Sequence, residues 1–158
     1  MTGLGHRNKT QLFESGTQEI RKKYSQESEK MSEQIKHREL TEKIIAAAIA
    51  VHRELGPGFL ESIYEEALYI ELDLMKIPYE RQIPVSIPYR GKIIGEHRLD
   101  LFVAKTVVVE LKATKALEDI YFAIVRSYMK AVSTDCGLLF NFAAMPLTIK
   151  RVGREVRS

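Results

Sequence analysis

Residues 136–142 read Cys-Gly-Leu-Leu-Phe-Asn-Phe, a short run that is apolar at successive positions rather than at alternate ones. A strand of this kind is buried on both faces, and such a strand lies inside a sheet that helices cover on either side. That segment alone points to an α/β fold. The chain is long enough to build one: with 158 residues, about two-thirds of the unfolded surface can be buried, so the core needs neither disulfides nor a structural metal. The single cysteine, Cys136, excludes a disulfide framework and any zinc site made of several thiolates. It fits a reducing compartment, and the expected location is cytoplasmic.

The remaining segments supply the covering layers. Ile44, Ala48, Val51 and Leu55 recur at helical spacing, with Thr41 as the candidate N-cap. Gly56-Pro57-Gly58 stops that helix, because proline lacks an N–H and glycine relaxes the backbone. A second helix is predicted over residues 60–75. Leu60, Tyr64, Leu68 and Leu72 hold one face of it, and Ile63, Ala67, Ile70 and Leu74 widen that face.

The period then changes to two. Residues 79–88 read as an edge strand, since Pro84 and Pro88 cannot donate to a ladder. Arg90-Gly91-Lys92 is a turn. Residues 93–103 and 107–112 are strands joined by Ala104-Lys105-Thr106. Residues 117–132 form a helix with Leu117, Ile120, Ile124, Tyr128 and Val132 on one side, and residues 147–152 form a last strand. The order is α-α-β-β-β-α-β-β, a mixed sheet flanked by helices.

Residues 1–38 stand apart. Ser, Gln, Glu and Lys dominate, and the apolar residues are too sparse for a continuous stripe, so this stretch reads as a disordered arm with at most a transient helix over residues 17–36. Residues 39–158 form the single folded domain. Met31 is a second candidate start. No run approaches the ~18–20 apolar residues needed to span a bilayer, and Met1 to Thr10 lacks the apolar stretch of a signal peptide; no membrane partner is expected. The net charge of +3 permits an anionic partner without demanding one. The absence of a GxxxxGK[ST] loop disfavours nucleotide-triphosphate hydrolysis.

The chemistry concentrates in one hairpin. Side chains alternate along a strand, so Glu110 and Lys112 share a face, opposite Val107, Val109 and Leu111. On the preceding strand, Arg98, Asp100 and Phe102 share one face, and Leu99, Leu101 and Val103 the other. A three-residue connection pairs Val103 with Val107 and therefore Asp100 with Glu110. Directly opposed residues have Cβ atoms about 5 Å apart, where like charges destabilise a sheet. A divalent cation would offset that repulsion, because Mg²⁺ accepts one or two carboxylates together with waters and phosphate oxygens. Lys112, two residues on, could then steady charge on a phosphate or orient a water. A solvated hairpin face with a Glu–Lys pair is the alternative.

Asp100 followed by Glu110-Leu111-Lys112 on the next strand resembles the active-site signature of the PD-(D/E)XK nuclease superfamily. Gly58-Phe59-Leu60-Glu61-Ser62-Ile63-Tyr64, preceded by His52-Arg53-Glu54-Leu55-Gly56-Pro57, is similar to the motif that names the GxxExxY protein family. The similarity continues through Pro78-Tyr79-Glu80-Arg81-Gln82 and Leu138-Leu139-Phe140-Asn141-Phe142. It implies a restriction-endonuclease-like core and a metal-dependent nuclease hydrolysing phosphodiester bonds in nucleic acid, with DNA the expected partner. Asp100, Glu110 and the backbone carbonyl of Leu111 would hold Mg²⁺ or Mn²⁺, and Lys112 would position the water. Glu61 would be the helical acidic residue that binds the metal directly or through water.

Tyr64, Arg126, Tyr128 and Lys130 are the candidate substrate contacts. Lys150, Arg151, Arg154 and Arg157 form a basic tail that could add to them. Each has a plainer reading. Glu61 can simply complement a helix N-terminus, Tyr64 can pack, and the basic side chains can be solvated. One departure from the resembled pattern stands out: Ile124 occupies the position where related nucleases carry a glutamine, four residues before the tyrosine. The alternative function is therefore a catalytically weakened nuclease-like fold that binds nucleic acid or protein. The apolar helices also allow pairing with a second copy.

Overall fold

The computed structural model describes residues 8–154. Two helices, α1 (Lys9–Leu55) and α2 (Glu61–Leu74), precede a three-stranded run of β1 (Tyr79–Tyr89), β2 (Lys92–Val103) and β3 (Val107–Lys112). Helix α3 (Asp119–Ala131), β4 (Cys136–Asn141) and β5 (Thr148–Val152) complete the chain. The observed order is the one read from the sequence. Contacts divide the chain into two units, Met1–Glu39 and Leu40–Ser158. Among the described residues, no helix is long and apolar enough to cross a membrane.

Helix α1 does not begin at Thr41. Nothing between Lys9 and Leu55 breaks a helix except Gly16, and Glu, Gln, Lys and Ala are strong helix formers. Thr41 is consequently an interior residue, buried, and its hydroxyl accepts a hydrogen bond from the Arg151 guanidinium at 2.9 Å. In the first unit, the helical residues Phe13, Tyr24 and Met31 are exposed.

The sheet runs β1-β2-β3-β4-β5, antiparallel except for the parallel β3–β4 pair that α3 connects. Alternation along β3 and β4 divides the core in two. On one face, Val107, Val109, Leu111, Leu138 and Phe140 pack against Ile44, Ala47, Ala48 and Val51 of α1 and Tyr64, Leu68 and Leu72 of α2. On the other, Val108 and Leu139 pack against Val125, Tyr128 and Met129 of α3. Helix α3 approaches closely because β4 carries Gly137: a Cβ there would lie 2.7 Å from Met129 Sδ and 3.0 Å from Val125 Cγ1.

Two helix faces differ from the periodicity reading. Ile63, Ile70 and Leu74 of α2 are exposed, and Tyr69 is buried in their place. Ile120 of α3 is exposed, and the buried stripe runs through Val125, Tyr128 and Met129. Both helices have more apolar residues than one sheet face can cover, and spacing alone cannot say which are left out.

Candidate functional site

The β2–β3 hairpin closes at Thr106, whose N–H donates to the Val103 carbonyl at 2.9 Å, with Ala104 and Lys105 both at positive φ. The ladder then pairs Val103 with Val107, Phe102 with Val108 and Leu101 with Val109. One step further, the same register sets Asp100 across from Glu110. There the ladder ends. The earlier part of β2 pairs with β1 alone, while the rest of β3 continues beside β4. The strands part, and side chains take over the hydrogen bonding that backbone would have made. Asp100 Oδ2 accepts the Leu111 N–H at 3.1 Å, and the Arg98 carbonyl accepts the Tyr128 hydroxyl at 3.0 Å.

The same point breaks the alternation of β1 and β2. Leu99 packs with Phe102 on the α3 face, not with Leu101 and Val103 as strict alternation requires. On β1, Tyr79 packs on the α1/α2 side but Ile83 and Val85 on the α3 side. Between them lies Gln82, at φ 51, across from Asp100 by the count Arg81↔Leu101 and Ile83↔Leu99. One residue in the left-handed region re-aims the strand. Asp100 thereby comes within electrostatic range of Glu61 and Glu65 on α2 as well as of Glu110.

Glu110 is 4% exposed, and its Oε2 is buried without a hydrogen-bond partner. Its Oε1 lies 3.5 Å from Lys112 Nζ, which sits 5.0 Å from the centroid of the Tyr121 ring. Burial, then the charge of Asp100, holds the Glu110 carboxyl well above the usual carboxylate range, against the opposing pull of Lys112. Burial also raises Asp100, although the Leu111 N–H favours its charged form. Tyr128 is pushed up to about 12 by burial and by the charges of Glu110 and Asp100. Both carboxylate shifts have the same origin: burial disfavours negative charge at the pair, and Lys112 offsets it only in part.

The other sequence candidates separate into groups. Glu61 opens α2, half-buried, and adds its charge to that of Asp100. Tyr64 is 0% exposed. Its hydroxyl donates to the Gly56 carbonyl at 2.6 Å and accepts the Phe59 N–H at 3.2 Å, and its ring stacks on Phe142 at 4.5 Å. That makes Tyr64 a packing residue that closes the Gly-Pro-Gly turn; its hydroxyl is already engaged. Tyr128 is likewise committed to Arg98. Lys130 is exposed, and Arg126 half-buried, on α3. Of the basic tail, Arg151 holds Thr41, Arg154 pairs with Asp135, and Arg157 lies outside the described residues.

Ile124 packs against the α3-side core. Sequence reasoning missed Glu65 and Gln82. Glu65 lies one turn after Glu61 on the same helix face, a spacing that could have found it. Gln82 enters the sequence reading only as the end of the Pro78–Gln82 stretch, with no role, because the contact it makes with Glu65 depends on a backbone irregularity.

Two carboxylates, both acceptor-only when ionised, with one buried oxygen unpartnered, are the donor set of a hard, oxygen-ligated cation. Among the described residues, however, no group of three or more His, Cys, Asp or Glu side chains is arranged to hold a metal ion.

No match to a curated protein reaches significance. The crystal structure of SSO0001 is similar at a TM-score of 0.48 and 16% identity, over 61% of this chain and 50% of that one, so the chain spans about half the length of that protein. The sequence profile of the PD-(D/E)XK nuclease superfamily matches residues 38–152, a stretch that contains α2, the hairpin and α3 together. The chain belongs to the PD-(D/E)XK nuclease superfamily.

Proposed function

We propose that this domain binds nucleic acid, DNA in the first instance, at the β2–β3 hairpin, as a nuclease-like module of weakened hydrolytic power. The observation that carries this reading is the make-up of the site. It has two carboxylates and one lysine, and no three-ligand group among the described residues. On α3, Ile124 is apolar and packed, and Tyr128 has given its hydroxyl to a backbone carbonyl.

Two ionised carboxylates repel an approaching phosphate. Asp100 and Glu110 would hold Mg²⁺ or Mn²⁺, which when bound neutralises the pair and polarises phosphoryl oxygen. The unpartnered Glu110 Oε2 is the atom left for it. Asp100 is oriented for this task by the Leu111 N–H. Lys112, kept beside Glu110, brings a positive charge to the phosphate.

Hydrolysis is the second reading, favoured by the same unpartnered oxygen and by the Glu110–Lys112 contact. In it, Lys112 positions the attacking water while Asp100 and Glu110 supply the charge balance. The test is incubation of the full chain, in excess over labelled DNA or RNA, with Mg²⁺ or Mn²⁺. Little or no product, with retained binding, supports the module. Rapid cleavage lost in both Asp100→Asn and Lys112→Ala would establish the nuclease instead.

A further inference from the structure

The apolar residues of the first unit fall into a repeat. Within helix α1, Phe13, Thr17 and Ile20 are followed eleven residues later by Tyr24, Ser28 and Met31, and Ile35 opens the next repeat. An eleven-residue repeat has about 3.67 residues per turn, nearly the periodicity of a straight helix, so these positions form one narrow seam. A count of apolar residues misses the seam, because Thr17 and Ser28 belong to it. Thr17 donates its hydroxyl to the Phe13 carbonyl at 2.9 Å, which leaves its methyl for packing. Phe13, Ile20, Tyr24, Met31 and Ile35 are each more than half exposed. Helices in proteins are held mainly by packing of an apolar face, and a seam this narrow is the kind that helices bury on one another in coiled coils.

The order of side chains in the seam identifies the partner. The spacing reads the same in both directions from Tyr24. Turned end to end about that residue, a second copy of the helix sets its Ile35 against Phe13, its Met31 against Thr17 and its Ser28 against Ile20, so the small members face large ones. Beside the seam, Lys23 comes next to Glu27 of the second copy, and Glu27 next to its Lys23, two opposite-charge pairs from one symmetry axis. A parallel pair would instead set Thr17 on Thr17 and Ser28 on Ser28, leaving gaps between large layers. We propose that residues 13–35 of α1 are a self-association helix, pairing antiparallel with the same helix of a second copy about Tyr24. The proposal is independent of the hairpin site and of the nucleic-acid reading.

The experiment is sedimentation velocity of the full chain over a concentration series, in EDTA and without nucleic acid. Wild type is expected to pass from monomer to dimer as concentration rises. Tyr24→Lys sets two ammonium groups against each other on the axis and keeps a strong helix former; it is expected to weaken the dimer at least ten-fold. Orientation is read by cross-linking with a short bis-maleimide, with wild type, whose one thiol is Cys136, as the control. Tyr24→Cys is expected to cross-link. Phe13→Cys is not, because the antiparallel pair holds the two Phe13 positions about 33 Å apart, 22 residues at ~1.5 Å each. A chain that is monomeric throughout, leaving the seam to another protein or to none, overturns the proposal, and so does a dimer that Tyr24→Lys leaves intact. Cross-linking of Phe13→Cys as readily as Tyr24→Cys overturns the antiparallel arrangement.

Discussion

Substitution Glu110→Gln should stabilise the cation-free domain, and increasingly so as pH rises. Glu110 is buried, and its folded-state pKa is raised above its ordinary value of 4.5 by burial and by Asp100. A raised carboxylate pKa means that the folded state binds the proton more tightly than the unfolded state. The associated stability is fully present below about pH 4.5 and is lost as pH rises towards the folded value. Each pH unit inside that window removes at most ~1.4 kcal/mol for one proton. From about pH 5 to about pH 8, the ceiling is therefore ~4 kcal/mol.

Relaxation and water entry around a buried charge lower such penalties, so ~2 kcal/mol of relative stabilisation at about pH 8 is expected. Gln has nearly the shape of Glu and no charge to desolvate, so the two proteins should be about equally stable near pH 5. Urea unfolding in EDTA, at a series of pH values, measures the difference. Parallel wild-type and variant curves across the range, or a variant less stable at pH 8, would refute the assignment of a desolvated, repelled carboxyl at this position.

Other expectations follow from individual contacts. Tyr64→Phe removes the hydroxyl that holds the Gly56 carbonyl and the Phe59 N–H and should lower unfolding stability by ~1–3 kcal/mol while leaving Mn²⁺ affinity unchanged; circular dichroism melts and calorimetry check the two halves. Gly137→Ala introduces a Cβ 3.0 Å from the stiff Val125 side chain and should destabilise by ~1–3 kcal/mol, measured in urea. Mn²⁺ at one hundred times its dissociation constant should stabilise wild type by ~2.7 kcal/mol and Asp100→Asn not at all, read from the shift of the urea midpoint.

Much of this architecture was legible in the residues. The doubly apolar run at 136–142 implied a covered sheet. The three-residue connection at 104–106 implied the register that sets Asp100 across from Glu110. Both follow from local rules, because alternation and hairpin length leave few choices. What local rules could not give is the point where two strands part. Alternation assigns Leu99 to the face of Leu101, yet the left-handed Gln82 across the ladder re-aims both strands. Gln82 is neither glycine nor asparagine, so the usual mark of such a conformation is missing. Glu65 escaped notice for a related reason: helical spacing sets it near Glu61, but only the position of β1 decides which of the two Gln82 holds. Tyr64 illustrates the reverse case. The sequence offered it both as a substrate contact and as a packing residue, and in the structure its hydroxyl and ring are engaged at the turn.

The central claim is that Asp100 and Glu110 join a cation to a phosphate. Fluorescence anisotropy of a labelled oligonucleotide, titrated with the full chain in EDTA and again in Mg²⁺, tests it most directly. Wild type should bind more tightly in Mg²⁺, more weakly as salt is raised, and Asp100→Asn should lose the gain from Mg²⁺. A gain of equal size in Asp100→Asn, or its absence from wild type, would contradict the claim.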